Sequence, residues 1–370
     1  MAQITYSLLN DCWEQDTSGR FIRARPGTKF ASHHKLVANK AQEFLRVLKR
    51  HIDPYLRERE QRESNYEDLY FAALQIWEDL WGEYTNPMLS GSIMRIRKAA
   101  AGLYCDYATR KGDDGFAQLA LRAADLTQWA VFHKVHGVTG PVGLGVISQV
   151  AEHVRDLDIF TLNHDSLVES ELNEQKIPFA DGFACGPGAL REFDGMWDKP
   201  GRRVRLFKLH GSVGWYEFTF PKHHRTPNHR AFAAVEGDPD HSVGPGRKHL
   251  DLVKPQPMFL TGTTVKERRY GIGLTGAIFA KFVSRLAGHR TLICCGYGWG
   301  DKGINIRLDE WLQARPGNKI VILQEKDIDK VQHSGFWVGR WSRYLRAGKV
   351  KVVKKWLCGC RLADVRPFCD

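Results

Sequence analysis

The chain has 370 residues, with 54 Lys and Arg against 42 Asp and Glu, for a formal net charge of +12. A hydrophobic share of 43% and a charged share of 26% are those of an ordinary globular protein and exclude disordered, collagen-like and disulfide-scaffold classes. No apolar run approaches a membrane span and the opening Met1-Ala2-Gln3-Ile4-Thr5 has no secretory pattern, so no membrane role is expected and the cytoplasm is the expected compartment.

Residues 1–34 are polar and punctuated by Asp16-Thr17-Ser18-Gly19 and Arg25-Pro26-Gly27, and are expected to be irregular. From Lys35 onward Leu36, Ala41, Phe44, Leu45, Leu48 and Ile52 recur at three- and four-residue spacing, which predicts a helix that stops at Pro54. The same spacing predicts helices over 66–81, 93–107 and 116–135. Four helices without an intervening strand make 1–135 a mainly helical module, with Tyr70, Phe71, Ile76, Trp77 and Trp81 as its core. The loop 137–145 reads as a connector to a short helix over 146–155, since no strand precedes its glycines.

The pattern then changes. Asp158-Ile159-Phe160-Thr161-Leu162 and Val204-Arg205-Leu206-Phe207-Lys208-Leu209 are short apolar runs that end abruptly in polar residues. Buried parallel strands deliver side chains to the carboxyl edge of a sheet in this way. The first run ends in Asn163-His164-Asp165, the second in His210-Gly211-Ser212. A helix over 166–172 and a short strand near 177–183 are expected between them, with 184–202 irregular, Trp215–Phe218 as a further β segment and 220–256 the least structured stretch. A strand end is expected at 259–263. The clearest unit follows: a helix over 278–286, a strand over 291–295, the loop Gly296-Tyr297-Gly298-Trp299-Gly300-Asp301, a helix over 304–314 and a strand over 319–323. Lys349 and Lys351 alternate with Val350 and Val352, which suits a charged edge strand. The fold class is therefore α/β: a Rossmann-like parallel sheet with helices on both faces over 136–370, preceded by the helical module.

Together these motifs resemble the sirtuin-like family. Thr161, Asn163 and Asp165 match its Thr-x-Asn-x-Asp strand end, Leu209, His210 and Gly211 its Leu-His-Gly strand end, and 296–301 its Gly-rich nucleotide loop. The resemblance covers about residues 140 to 330. It implies an NAD-binding domain over 136–370 with NAD as substrate, cleaved between nicotinamide and ribose to give nicotinamide and ADP-ribose. It assigns catalysis to Asn163 and His210, with Asp165 orienting a reacting group or offsetting growing positive charge. Thr161, Gly211, Gly296, Gly298, Gly300, Asp301 and Gln324 fall where the family contacts the dinucleotide, although helix capping is the commoner use of a residue placed like Asp301. Zinc-free bacterial domains of this kind resemble NAD-depleting effectors of anti-phage defence, so a homo-oligomer and a defence-system partner protein are among the expected partners.

Other features bound this reading. The family normally opens with a strand ending in Gly-Ala-Gly, and residues 1–60 contain none. That departure leaves open a start upstream of Met1, a different mode of nucleotide binding, or none. Eight cysteines (Cys12, Cys105, Cys185, Cys294, Cys295, Cys358, Cys360, Cys369) include no Cys-x-x-Cys pair, and no zinc is expected. The histidines of 220–256, His223, His224 and His229 among them, read as a solvated loop. The charge of +12 suits a dinucleotide, nucleic acid or an acidic protein, and equally a basic surface kept for solubility. Two further functional readings stand beside the enzyme: a non-catalytic module that senses NAD or ADP-ribose, and a nucleic-acid-associated interaction protein.

Overall fold

A computed structural model describes residues 1–24, 32–82, 86–104, 114–136, 138, 140, 142–184, 190–219, 230–235, 251–262, 265–325 and 335–369. These residues form two compact units. The first comprises Met1–Gly137 with the short segments Lys254–Pro257 and Thr261–Val265, and the second the remainder.

The first unit runs α1 (Ala2–Asn10), β1 (Trp13–Gln15), β2 (Phe21–Arg23), α2 (Ser32–Glu60), α3 (Tyr66–Trp81), α4 (Pro87–Ala99) and α5 (Gly115–Val135). Its first residues are more regular than their composition implies. β1 and β2 pair antiparallel, and Trp13 and Phe21 are buried. Gln42 on α2 donates to the carbonyls of Leu8 and Asp11, giving the polar start a tertiary anchor. Pro54 does not end α2, which continues to Glu60. Pro54 lies on the exposed side, where water can take the carbonyl its missing N–H leaves behind. α4 begins earlier than its apolar spacing indicates, because Asn86 caps it and Pro87 occupies the first turn. The part of the expected 93–107 helix at 105–107 lies outside the described residues, as do Cys105 and Cys185. α3 starts in a capping box formed by Asn65 and Asp68 and stops at Gly82 in the left-handed conformation.

The second unit runs α6 (Gly145–His153), β3 (Leu157–Thr161), α7 (Leu167–Glu174), β4 (Phe179–Ala180), β5 (Leu190–Glu192), β6 (Val204–Lys208), β7 (Trp215–Thr219), β8 (Arg230–Val235) and β9 (Asp251–Leu252). It continues with α8 (Val265–Arg269), α9 (Gly273–Gly288), β10 (Thr291–Cys295), α10 (Lys302–Ala314), β11 (Lys319–Leu323), α11 (Arg340–Arg346), β12 (Val350–Val353) and α12 (Leu362–Val365). β3, β6 and β4 form one parallel sheet in the order β3-β6-β4, and β10, β11 and β12 form another in that order. The fold is α/β with parallel strands. β11 shows why its sequence is apolar throughout: Ile320 and Ile322 enter one core with Ile278, Phe282 and Leu312, while Val321 and Leu323 enter another with Val146 and Val365. Helices thus cover both faces.

β5, β8, β7 and β9 add a four-stranded antiparallel sheet in the order β5-β8-β7-β9. This corrects the irregular reading of 184–202 and of part of 220–256. β8 is Arg-Ala-Phe-Ala-Ala-Val, and its alanines carry little strand preference; pairing with β5 on one side and β7 on the other decides its conformation. Residues 220–229 and 236–250, with His223, His224 and His229, lie outside the described set. The strand end expected near Phe259 is reduced to one bridge, Gly211 to Phe259, and residue 263 lies outside the described set. Among the described residues no helix is long and apolar enough to cross a membrane, and no group of His, Cys, Asp or Glu is placed to hold a metal ion.

Candidate active site

The register of β3 against β6 pairs Thr161 with Lys208. Asn163 and His210 therefore stand at equivalent positions, two residues beyond the carboxyl ends of neighbouring parallel strands. Ligands bind at that edge in open α/β folds. Each loop is fixed locally. The Thr161 hydroxyl accepts from the Asn163 N–H at 3.1 Å, and Asp165 Oδ1 accepts from the Leu167 N–H at 3.2 Å, turning the chain into α7. Lys208, 1% exposed, donates from Nζ to the Asp165 carbonyl and to Glu169 Oε1 at 2.7 Å. A buried lysine at the last position of β6 thus pins the loop that carries Asn163. Asn163 itself is exposed.

His210 is 4% exposed. Its Nε2 lies 2.9 Å from Asp301 Oδ2 and 2.7 Å from the Tyr270 hydroxyl, and that hydroxyl donates to Asp301 Oδ2 at 2.6 Å. Asp301 Oδ1 accepts from the Ile304 N–H at 3.1 Å, so the same carboxylate caps α10. Burial raises the Asp301 carboxyl, but the hydrogen bonds from His210, Tyr270 and Ile304, together with the positive character of the imidazole, outweigh it and hold the group below its ordinary range. Burial, then the neighbouring Asp301 charge, push the Tyr270 hydroxyl far up, so it remains a proton donor at any working pH. When the His210 imidazole is neutral, a carboxylate at Nε2 selects the tautomer with its proton on Nε2 and its basic lone pair on Nδ1.

His164 completes the cluster. Its ring lies 6.2 Å from that of His210 and 4.8 Å from Phe259. Its Nδ1 is buried and has no hydrogen-bond partner among the described residues. Burial first, and then the cationic character of His210, Lys266 and Lys208, keep this imidazole well below its usual pKa, and hence neutral.

The 296–301 loop sits at the carboxyl end of β10. Gly296 has φ +62° and Trp299 φ +56°, a left-handed conformation that is uncommon for a large residue. Packing holds it there: Trp299 is buried against Trp341 at 4.7 Å and Trp337 at 5.6 Å, and its carbonyl accepts from Asn305 Nδ2 at 2.7 Å. Among the described residues a Cβ built at Gly298 or Gly300 would meet nothing within 4 Å; at Gly296 the space is equally open, but its positive φ favours glycine. Gly211 differs. It has φ +80°, and a Cβ would lie 2.2 Å from the Met258 carbonyl oxygen, so a close backbone approach fixes this residue. Gln324 is buried just beyond β11, its N–H donating to the Val353 carbonyl at 3.1 Å.

The structure therefore brings His210 and Asp301 into contact, sets Asn163 on the adjoining loop, and gives Asp165 and Thr161 local turn-forming bonds. Tyr270, Lys208, His164 and Asn305 had no sequence signal. Lys208 hides at the end of an apolar run, and Tyr270 reaches His210 across 60 residues of chain.

No curated protein matches the chain. A family model described as a SIR2-like domain matches residues 158–344, just over half of the chain, from β3 to the end region of α11. That span holds every residue of the cluster, and the chain belongs to the SIR2-like family.

Proposed function

We propose that the chain hydrolyses NAD between nicotinamide and ribose, releasing nicotinamide and ADP-ribose. Family membership makes the activity NAD-related. The observation that carries the hydrolase reading is the buried His210–Asp301–Tyr270 cluster, in which His210 lies on the loop after β6, beside the loop after β3 that carries Asn163. The open space over Gly296, Gly298 and Gly300 supports the approach of a ribose or phosphate to that backbone.

Cleavage of an N-glycosidic bond builds positive charge on the anomeric carbon and needs one positioned nucleophile. In this reading Nδ1 of His210 takes a proton from a ribose hydroxyl or from the attacking water. Asp301 holds the imidazole in the required tautomer and stabilises the imidazolium as it forms. Tyr270 keeps Asp301 ionised by donating to it. The Asn163 amide hydrogen-bonds a ribose hydroxyl or the water at the reacting face. Thr161, Asp165 and Lys208 fix the loop that presents Asn163, and Gln324 lines the adenosine side. The physiological role consistent with this chemistry is depletion of NAD by a zinc-free effector of the anti-phage defence type, acting with a partner protein or as a homo-oligomer.

One observation favours a second reading, in which the chain senses NAD or ADP-ribose without turnover: residues 1–60 contain no Gly-Ala-Gly, the strand end from which the family draws its pyrophosphate donors. Incubation with NAD, followed by measurement of free nicotinamide, separates the two. Release that vanishes in His210→Ala supports the hydrolase, calorimetric binding without release supports the sensor, and neither binding nor release rejects both.

A further inference from the structure

The charge of the chain is unevenly spread. Residues 340–370 carry nine Lys and Arg against two Asp, so this stretch holds +7 of the formal +12 in less than a tenth of the sequence. It builds the outer edge of the sheet β10-β11-β12, whose last strand, β12, is paired with β11 alone among the described residues. On one face, α11 places Trp341 and Tyr344 in a core with Val350. Beyond β12 the chain lies on the other face, where Leu357, Leu362, Val365 and Phe368 pack with Val321 and Leu323. The apolar side chains of the stretch are thus committed to the two cores, and its cations are left to rim the edge strand from both sides.

Some of these cations serve the fold. Lys349 donates to the carbonyls of Leu312 and Arg315 at the end of α10, Arg340 lies 3.5 Å from Asp309, and Lys355 pairs with Asp364 at 2.7 Å. Five others, Arg343, Arg346, Lys351, Arg361 and Arg366, are exposed and form no ion pair with a carboxylate among the described residues. Two of the five are ordered by rings: the Arg343 guanidinium lies 4.8 Å from the centre of the Tyr344 ring, and Lys351 Nζ 5.4 Å from that of Phe368. Lys351 suits a guard on an edge strand. The four arginines lie in the segments that flank the strand, where there is no edge to guard.

We propose that this rim binds single-stranded nucleic acid. Several cations set apart around one strand are met together by a phosphodiester backbone, which brings one charge with each nucleotide; a dinucleotide brings only its pyrophosphate. Trp356, directly after Lys354 and Lys355, is 40% exposed and is the one exposed large hydrophobic side chain between residues 340 and 369 among the described residues. A membrane surface is gripped by several apolar side chains on one face of a helix. A single ring beside lysines instead offers a platform on which an unpaired base stacks, and the bases of a duplex are not free to do so. Because β12 runs parallel to β11 and β10, Trp356 follows the same sheet edge as the 296–301 loop, so competition with NAD belongs in the test. The surface rests on charge and exposure and does not depend on the proposed reaction.

Fluorescence anisotropy of a labelled oligodeoxythymidine of about 20 nucleotides, titrated with the full chain, tests the proposal. Binding should weaken with salt along a slope of about −2 to −3.5 in log K against log salt, as neutralisation of about three to five phosphates on a single strand requires. Arg361→Gln with Arg366→Gln should make that slope shallower by about 1.4 and lower the affinity at least about tenfold, and Arg343→Gln with Arg346→Gln should do the same from the other face. Trp356→Ala should lower the affinity about fivefold or more and leave the slope unchanged. Arg59→Gln with Lys98→Gln, the same charge change at exposed positions of the first unit, should have no effect. No binding at low salt, equally tight binding of the duplex with oligodeoxyadenosine, or an equal loss in the first-unit variant would overturn the proposal. So would displacement of the oligonucleotide by NAD, or binding to phosphatidylserine vesicles in place of the oligonucleotide. No arm measures turnover, so failure here leaves the proposed reaction standing, and failure of that reaction leaves the rim to be judged by anisotropy.

Discussion

Replacing Asp301 by Asn separates the two duties of this side chain. Oδ1 caps α10 through the Ile304 N–H at 3.1 Å, and Asn is as good a cap as Asp, so the helix start should survive. Oδ2 accepts from His210 at 2.9 Å and from Tyr270 at 2.6 Å. With the cap holding the side-chain oxygen in place, the new amide nitrogen faces two donors. Two charge-assisted bonds in a buried setting are lost, each worth about 1.5–3 kcal/mol, so a stability loss of about 3 kcal/mol or somewhat more is expected. His210 is then free to carry its proton on Nδ1, the wrong tautomer for a base there, and turnover should fall by about a hundredfold to ten-thousandfold. Urea unfolding gives the first quantity and nicotinamide release from NAD the second. Tyr270→Phe removes one donor and leaves the carboxylate, so it should cost only about 1–2 kcal/mol and much less activity. A folded Asp301→Asn variant with near wild-type turnover would show that the carboxylate has no part in setting the state of His210.

Further outcomes follow from the same geometry. His164 is depressed in the folded state, so its contribution to stability is complete above the ordinary histidine value of 6.5 and is lost as the pH falls toward the depressed one. Stability should drop by up to about 1.4 kcal/mol per pH unit below about 6.5, and His164→Phe should flatten that limb in urea melts taken across a pH series. Lys208→Met leaves Glu169 and the Asp165 carbonyl without their buried cation, and should cost about 3 kcal/mol in urea unfolding while raising proteolysis of the 162–166 loop. Two glycines should respond oppositely. Gly211→Ala drives a Cβ into the Met258 carbonyl at a positive φ and should lower the melting temperature sharply, whereas Gly298→Ala meets nothing among the described residues and should leave melting unchanged while raising the KM for NAD.

Much of the parallel core is legible in the chain because its strands are short apolar runs with polar ends. The unit from β10 to β11 can be drawn from Thr291–Cys295, the glycines after it and Lys319–Leu323 alone. Other elements leave weaker traces. β1 and β2 have three residues each, too few for a period, and a tryptophan and a phenylalanine decide their burial. β8 is spelled largely in alanine and becomes a strand because β5 and β7 flank it. Pro54 reads as a stop but is tolerated on the solvent side of α2. For the site, periodicity marks strand ends and so singles out the neighbourhoods of Asn163 and His210. It cannot show that His210 meets an aspartate 91 residues away, or that a tyrosine joins them, because those contacts depend on how separate βα units stack. Nor can it expose Lys208, whose charge looks like an interruption in an apolar run until Glu169 and the Asp165 carbonyl are seen around it.

In the proposed reaction Asn163 and His210 act on the bond between nicotinamide and ribose. The most direct measurement is the fate of NAD in heavy-oxygen water, followed by mass spectrometry for the wild-type chain, Asn163→Ala and His210→Ala. The wild type should give unlabelled nicotinamide and ADP-ribose carrying one heavy oxygen, and both variants should leave NAD intact. Label on a phosphate through cleavage of the pyrophosphate, or undiminished labelled ADP-ribose from either variant, would contradict that reaction.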